Sequence, residues 1–201
     1  IPDSMPFDQA CIIPDAVSTP WAAICESGKV EAGQAAGVWG IGGLGVHAIQ
    51  LLRMIGAAPV IAVDPLEAAR ERALARGADV ALDPTAPDFA KQLREANGGR
   101  GLDVAFDLAG FEGIPEQAID VLAPSGRLVI TGISGKPITI ADNVTFVGAQ
   151  RQVLGHYGYL PKHVPQLVRL VAQGRLDLAG SISDHLPLEQ APEAVRRLEE
   201  K

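Results

Sequence analysis

From residue 35 onward, short and continuously apolar runs alternate with stretches in which apolar residues recur every three or four positions. The runs at 35–39, 60–63, 80–82, 104–106, 127–130 and 152–154 read as strands, and the stretches at 44–55, 67–76, 88–96, 112–122 and 164–173 read as helices. The run Val60-Ile61-Ala62-Val63 has no polar alternation, as a strand covered on both faces requires. A strand–helix rhythm of this kind specifies an α/β fold, a mostly parallel sheet with helices on both faces.

The flanking segments differ in texture. Residues 7–28 look helical in two pieces, broken around Pro14 and restarted at Ser18-Thr19-Pro20, where a hydroxyl before a proline signals a helix start. The tail offers an extended piece at 181–186 and a last helix from Glu189.

Composition narrows the function classes. With 47% hydrophobic and 20% charged residues, the 201-residue chain is globular rather than disordered. Seventeen basic against 24 acidic residues leave a net charge of −7, which repels phosphate backbones and argues against nucleic-acid binding. The two cysteines, Cys11 and Cys25, have neither metal-ligand spacing nor a disulfide framework, so a reducing, cytoplasmic setting is expected. Cys11 is expected to be a small buried thiol. No secretory signal opens the chain, and the most apolar run, 37–52, is too short and too interrupted for a membrane span, so no membrane partner is expected. The start without Met reads as a piece of something longer.

The sharpest motif is Gly40-Ile41-Gly42-Gly43-Leu44-Gly45, a G-x-G-x-x-G spacing where a strand turns into a helix. Gly40 permits the tight turn, Gly42 lets the backbone approach a pyrophosphate, and Gly45 lets helix and strand pack closely. Gly43 and Leu44 complete the turn, with Leu44 packing against the ligand rather than bonding it. The helix start then presents free N–H groups to phosphate. Nineteen residues after Gly45, Asp64 ends the next strand, where a carboxylate accepts hydrogen bonds from ribose hydroxyls. Asp64 before Pro65 also suits a simple turn. A methyltransferase shares the general plan but does not require this triplet. Because Asp64 would repel a 2′-phosphate, and the first basic residue beyond it is Arg70, NAD is preferred over NADP. Gly110, Thr131 and Gly132 follow the fourth and fifth strands, where ligands lie in open α/β sheets, although each glycine alone could be an ordinary turn. His47, in the first turn of the glycine-loop helix, reads as a face-filling or phosphate-near residue.

The chain resembles the medium-chain dehydrogenase/reductase family, zinc-type alcohol dehydrogenase group. The resemblance is carried by Asp15-Ala-Val-Ser-Thr-Pro-Trp-Ala, residues 38–50, Gly77-Ala-Asp, Gly99-Arg-Gly-Leu-Asp-Val, Leu122-Ala-Pro-Ser-Gly-Arg-Leu and Gly174-Arg-Leu. It implies a doubly wound Rossmann domain of strand order 3-2-1-4-5-6 at 35–175, preceded by a helical lead-in from a substrate domain (1–34) and followed by the return toward it (176–201). It implies NAD as cofactor and zinc in the intact enzyme, with Asp15 at the position of one zinc ligand and the others in the absent domain. Thr19 falls where relatives place a residue beside the nicotinamide, which makes it the candidate catalytic residue. His156 follows the last strand near the expected carboxamide position. An alcohol or carbonyl substrate and a homodimer paired near 150–155 follow from the same resemblance, and isolated residues 1–201 are expected to bind NAD weakly and turn nothing over. Ala35-Ala36-Gly37 departs from the family, whose first strand carries β-branched residues. A zinc-free quinone or enoyl reductase and a non-catalytic dinucleotide-binding module remain as alternatives.

Overall fold

The computed structural model describes residues 1–199. Its centre is a six-stranded, wholly parallel sheet in the order β3-β2-β1-β4-β5-β6. The strands are β1 (Ala36–Trp39), β2 (Val60–Val63), β3 (Val80–Leu82), β4 (Leu102–Asp107), β5 (Leu122–Ile130) and β6 (Gln152–Gly155). Side chains alternate across the pleat, so successive residues of one strand serve two different cores. Ala36 and Val38 of β1, with Val60 and Ala62 of β2, pack under α3 (Gly43–Ile55), α4 (Glu67–Ala75), α8 (His163–Ala172) and the lead-in. Trp39, Ile61 and Val63 pack on the other face with α5 (Phe89–Ala96) and α6 (Ile114–Asp120). Both faces of β1 and β2 are therefore covered, which is why these runs are apolar throughout.

The departure at Gly37 has a steric cause. A Cβ there would meet Leu102 Cδ1 at 2.5 Å and Trp39 Cζ3 at 2.8 Å, so two bulky neighbours occupy the volume that a β-branched residue would need. That leaves Trp39 on the face away from the glycine-turn helix, edge-on to Phe89 and donating through Nε1 to Gln117 Oε1 at 2.8 Å.

Several expectations need correction. The lead-in breaks at residues 11–12, just ahead of Pro14, and restarts at Ile13 rather than at Ser18. After α1 (Phe7–Ala10), a π-helical turn (Ile13–Val17) runs directly into α2 (Ser18–Ala22) and a second π-turn (Ala23–Ser27). Pro14 lies in the opening turn, where a missing N–H costs nothing. The wide turns on either side accommodate Pro20 inside the helix. Thr19 makes no cap, because no N-terminus lies there. Cys11 is exposed, ending α1 on the surface. The segment 181–186 joins no strand of the sheet; a short 3-10 turn (Ala179–Ser181) and irregular chain lead to a second 3-10 turn (Leu188–Gln190) and α9 (Ala191–Glu199). An additional helix, α7 (Asn143–Gly148), is capped by the Asp142 carboxylate accepting from Thr145 N at 3.0 Å. No helix among the described residues is long and apolar enough to cross a membrane.

Candidate functional site

A groove of about 450 Å³ opens at the carboxyl ends of the central strands. The glycine turn and Asp64 form one wall, Asp15 and Ala16 enter from the lead-in, and Ala109 and Phe111 lie opposite. The sheet order reverses direction at β1, and the crevice at such a point is where open α/β sheets bind ligands.

Each glycine of the triplet does different work. Gly40 has φ +85° and would place a Cβ 2.6 Å from Ala109 Cβ, so the turn and its neighbour close on each other there. A Cβ on Gly45 would fall on the Gly40 carbonyl oxygen, which locks helix α3 against the end of β1. Gly42 and Gly43 meet nothing within 4 Å and are exposed, so their missing side chains leave open space in the groove. The start of α3 has neither a side-chain cap nor an acidic residue in its first turn, so its N–H groups and positive dipole end face the groove uncompensated. A dinucleotide diphosphate fits this cradle.

Asp64 is buried at the edge of that cradle. Its Oδ2 accepts from Ile41 N at 2.8 Å and its Oδ1 from Leu66 N at 2.9 Å. The carboxylate therefore serves both readings: it shapes the turn after β2 and ties the glycine turn to it, and each oxygen keeps a lone pair for a ribose hydroxyl. The Arg70 guanidinium is engaged by backbone, donating to the Asp64 and Pro65 carbonyls, both at 2.8 Å.

The remaining candidates separate into two groups. Asp15 lines the groove, and Thr19, buried behind it, donates its hydroxyl to Asp15 Oδ1 at 3.0 Å. Gly110, Thr131 and Gly132 do not line the groove wall; they sit where the loops after β4 and β5 cross. The Thr131 hydroxyl is buried there without a hydrogen-bond partner among the described residues. Among the described residues, no group of three His, Cys, Asp or Glu could hold a metal ion.

The histidines have structural partners. His47, on the first turn of α3, is buried, with Nδ1 2.7 Å from Gly43 O and Nε2 2.9 Å from Ser181 Oγ. Burial pushes its imidazole below the usual histidine range, and both ring nitrogens are taken by protein partners. His156 Nε2 donates to Gly158 O (2.9 Å) and its Nδ1 lies 2.8 Å from Ser27 Oγ, tying the lead-in to the end of β6. His163 meets Glu26 Oε1 at 3.1 Å, and Lys162 approaches the same oxygen at 2.6 Å. Those two partners hold the Glu26 carboxyl below its ordinary value.

Sequence reasoning missed Ala16 and Phe111, which carry no chemical signature and reach the groove only through the fold.

Comparison with known proteins agrees with this architecture. The family described as zinc-binding dehydrogenase matches residues 43–173. The chain is 37% identical over 136 residues to the NDMA-dependent alcohol dehydrogenase of Amycolatopsis methanolica, covering 67% of this chain and 36% of that protein. It is 30% identical over 191 residues to the (R,R)-butanediol dehydrogenase of Neisseria gonorrhoeae, covering 94% of this chain and 52% of that protein. A solved NAD-dependent alcohol dehydrogenase superimposes with a TM-score of 0.88 at 31% identity, covering 99% of this chain and 57% of that one. The chain thus spans about half the length of such relatives. With its sheet order, its glycine cradle and this match, the chain belongs to the zinc-binding dehydrogenase family and corresponds to the cofactor-binding half of a zinc-type alcohol dehydrogenase.

Proposed function

We propose that this chain binds NAD in the groove and positions it for hydride transfer between an alcohol and the nicotinamide in the full-length protein. The observation that carries the reading is the open, uncapped start of α3 beside Gly42 and Gly43, with the Asp64 carboxylate one strand over. The α3 N–H groups would hold the diphosphate and Asp64 the adenosine ribose. Gly110, Thr131 and Gly132, which sit behind the groove wall where the two loops cross, would support the other nucleotide from below. Bound there, the nicotinamide ring supplies the hydride acceptor or donor. The Asp64 carboxylate, which a 2′-phosphate would approach, supports NAD over NADP.

The described residues do not by themselves fit zinc, since they bring no three ligands together. Asp15 is proposed as the one ligand this chain contributes, oriented by the Thr19 hydroxyl, with Thr19 itself beside the nicotinamide. In the full-length protein, Asp15→Ala would lower bound zinc measured by elemental analysis, and unchanged zinc content would remove Asp15 from the ligand set. A cytoplasmic homodimer, paired through β6 at the sheet edge, belongs to the same proposal. It is supported by the edge position of β6 and the exposure of Gln152 and Gly155, and sedimentation tests it.

Titration calorimetry with NAD and NADP tests the cofactor reading. The expected result is weak binding of NAD, weaker binding of NADP, and no alcohol oxidation by residues 1–201 alone. The absence of heat with NAD at millimolar concentration overturns the reading, and steady turnover overturns the requirement for the other half. Calorimetry is preferred to tryptophan emission because Trp39 is packed on the face away from α3.

A further inference from the structure

We infer that Asp107 is a positioning residue for the dinucleotide, fixing turn 108–110 so that the second nucleotide, the one over β4 and β5, has a rigid floor; this rests on the dinucleotide reading above. Asp107 ends β4 and is 1% exposed. Its side-chain partners among the described residues are two consecutive backbone N–H groups, Ala109 at 3.1 Å and Gly110 at 2.9 Å, both on Oδ1. Burying a carboxylate away from cations is costly, and a turn could be closed by a neutral side chain. What this side chain adds is one acceptor oxygen that takes both N–H groups and so holds the turn in one geometry.

The backbone around Asp107 joins three strand ends. Leu108 N donates to Trp39 O at 3.0 Å, reaching the residue before Gly40. Asp107 O accepts from Thr131 N at 2.9 Å and Gly132 N at 3.0 Å, reaching the loop after β5. The steric fit is equally tight. Ala109 closes on Gly40, a Cβ on Gly110 would lie 2.7 Å from the Gly132 carbonyl carbon, and one on Gly132 would lie 2.6 Å from Gly110 Cα. Two backbones cross without room for a side chain, so rotation of turn 108–110 would shift both the β1 turn and the β5 loop. The two halves of a dinucleotide straddle the point where strand order reverses. Asp64 takes the adenosine on the β2 side, so Asp107 governs the half on the β4 side.

Calorimetry of residues 1–201 with NAD and with AMP separates this role from general destabilisation. AMP occupies only the Asp64 side. For Asp107→Ala, NAD affinity should fall about tenfold or more while AMP affinity stays within about twofold. Asp107→Asn keeps an acceptor oxygen in the same place and should restore NAD affinity to within about threefold of the parent. Should Asp107→Ala fail to fold, Asp107→Glu keeps the charge but lengthens the arm, and should show the same NAD-selective loss. Equal losses for NAD and AMP, or no loss in either the Ala or the Glu variant, overturn the inference and leave the cofactor reading standing. A parent chain that binds neither ligand overturns the cofactor reading, and this inference with it.

Discussion

Gly42→Ala separates ligand approach from folding inside a single motif. Gly42 has φ −84° and ψ −152°, a conformation open to L-residues, and an added Cβ would meet no protein atom within 4 Å. The substitution should leave the fold intact and reduce the freedom of the unfolded chain, contributing about 0.4–1 kcal/mol of stability. At about 2–4 °C per kcal/mol for a domain of this size, the apo melting temperature should stay level or rise slightly. The methyl group would enter the groove where a diphosphate must come within hydrogen-bond distance of the α3 N–H groups. Losing one such bond to a charged ligand costs about 1.5–3 kcal/mol, a rise in Kd of about 10- to 150-fold. Gly45→Ala should behave oppositely. Its Cβ would collide with the Gly40 carbonyl, an overpacking cost of about 1–3 kcal/mol only partly offset by the better helix propensity of Ala. Thermal melts without ligand and calorimetry with NAD read both variants. An unchanged NAD affinity in Gly42→Ala, or a parental melting temperature in Gly45→Ala, refutes this division of labour.

Other consequences follow from the same contacts. Asp64→Ser combined with Leu66→Arg should shift the ratio of NAD to NADP affinity toward NADP by about tenfold or more, and should weaken NAD because the bond to Ile41 N is also lost; an unchanged ratio in paired titrations removes Asp64 as the ribose reader. Burial holds the folded pKa of His47 below its unfolded value near 6.5, so between the two pKa values the unfolded chain binds more protons. Urea stability should therefore decline as pH falls from 7 toward 5.5, and His47→Asn should reduce that slope; an equal slope in the variant assigns the loss elsewhere. Asp107 runs the other way: burial is the main cause of its raised carboxyl pKa, and the Ala109 and Gly110 N–H groups only partly oppose it. Its favourable contribution is present at low pH and is lost as pH rises through the folded pKa. Asp107→Asn should accordingly gain melting temperature relative to the parent at pH 8 and lose that advantage toward pH 4; a constant difference across the range refutes the assignment.

The central architecture was legible because it depends on local pattern. Continuous apolar runs identified β1 and β2 to within a residue, since a strand covered on both faces admits no polar positions, and the short run of edge strand β3 was read with its bounds as well. The glycine turn and Asp64 were legible because a turn with φ +85° and a backbone packed on a carbonyl each demand a particular residue type. The strand order followed once the resemblance was recognised, and the sheet has it. At the lead-in the pattern misled: Ser18-Thr19-Pro20 has the composition of a helix start, but π-turns on either side carry the helix through it, and Thr19 spends its hydroxyl on Asp15.

Residue type alone established which segments are strands, where the chain turns tightly, and that a carboxylate waits one strand from a glycine cradle. Only the tertiary structure decided that this carboxylate also holds Ile41, that His47 is spent on Gly43 and Ser181, and that Asp107 pins three strand ends together. The physical reason is the range of the forces involved. Backbone conformation and burial pattern are written in adjacent residues. Which donor meets which acceptor across 23 or 134 positions is set by how the sheet stacks its strands, and no local pattern encodes that meeting.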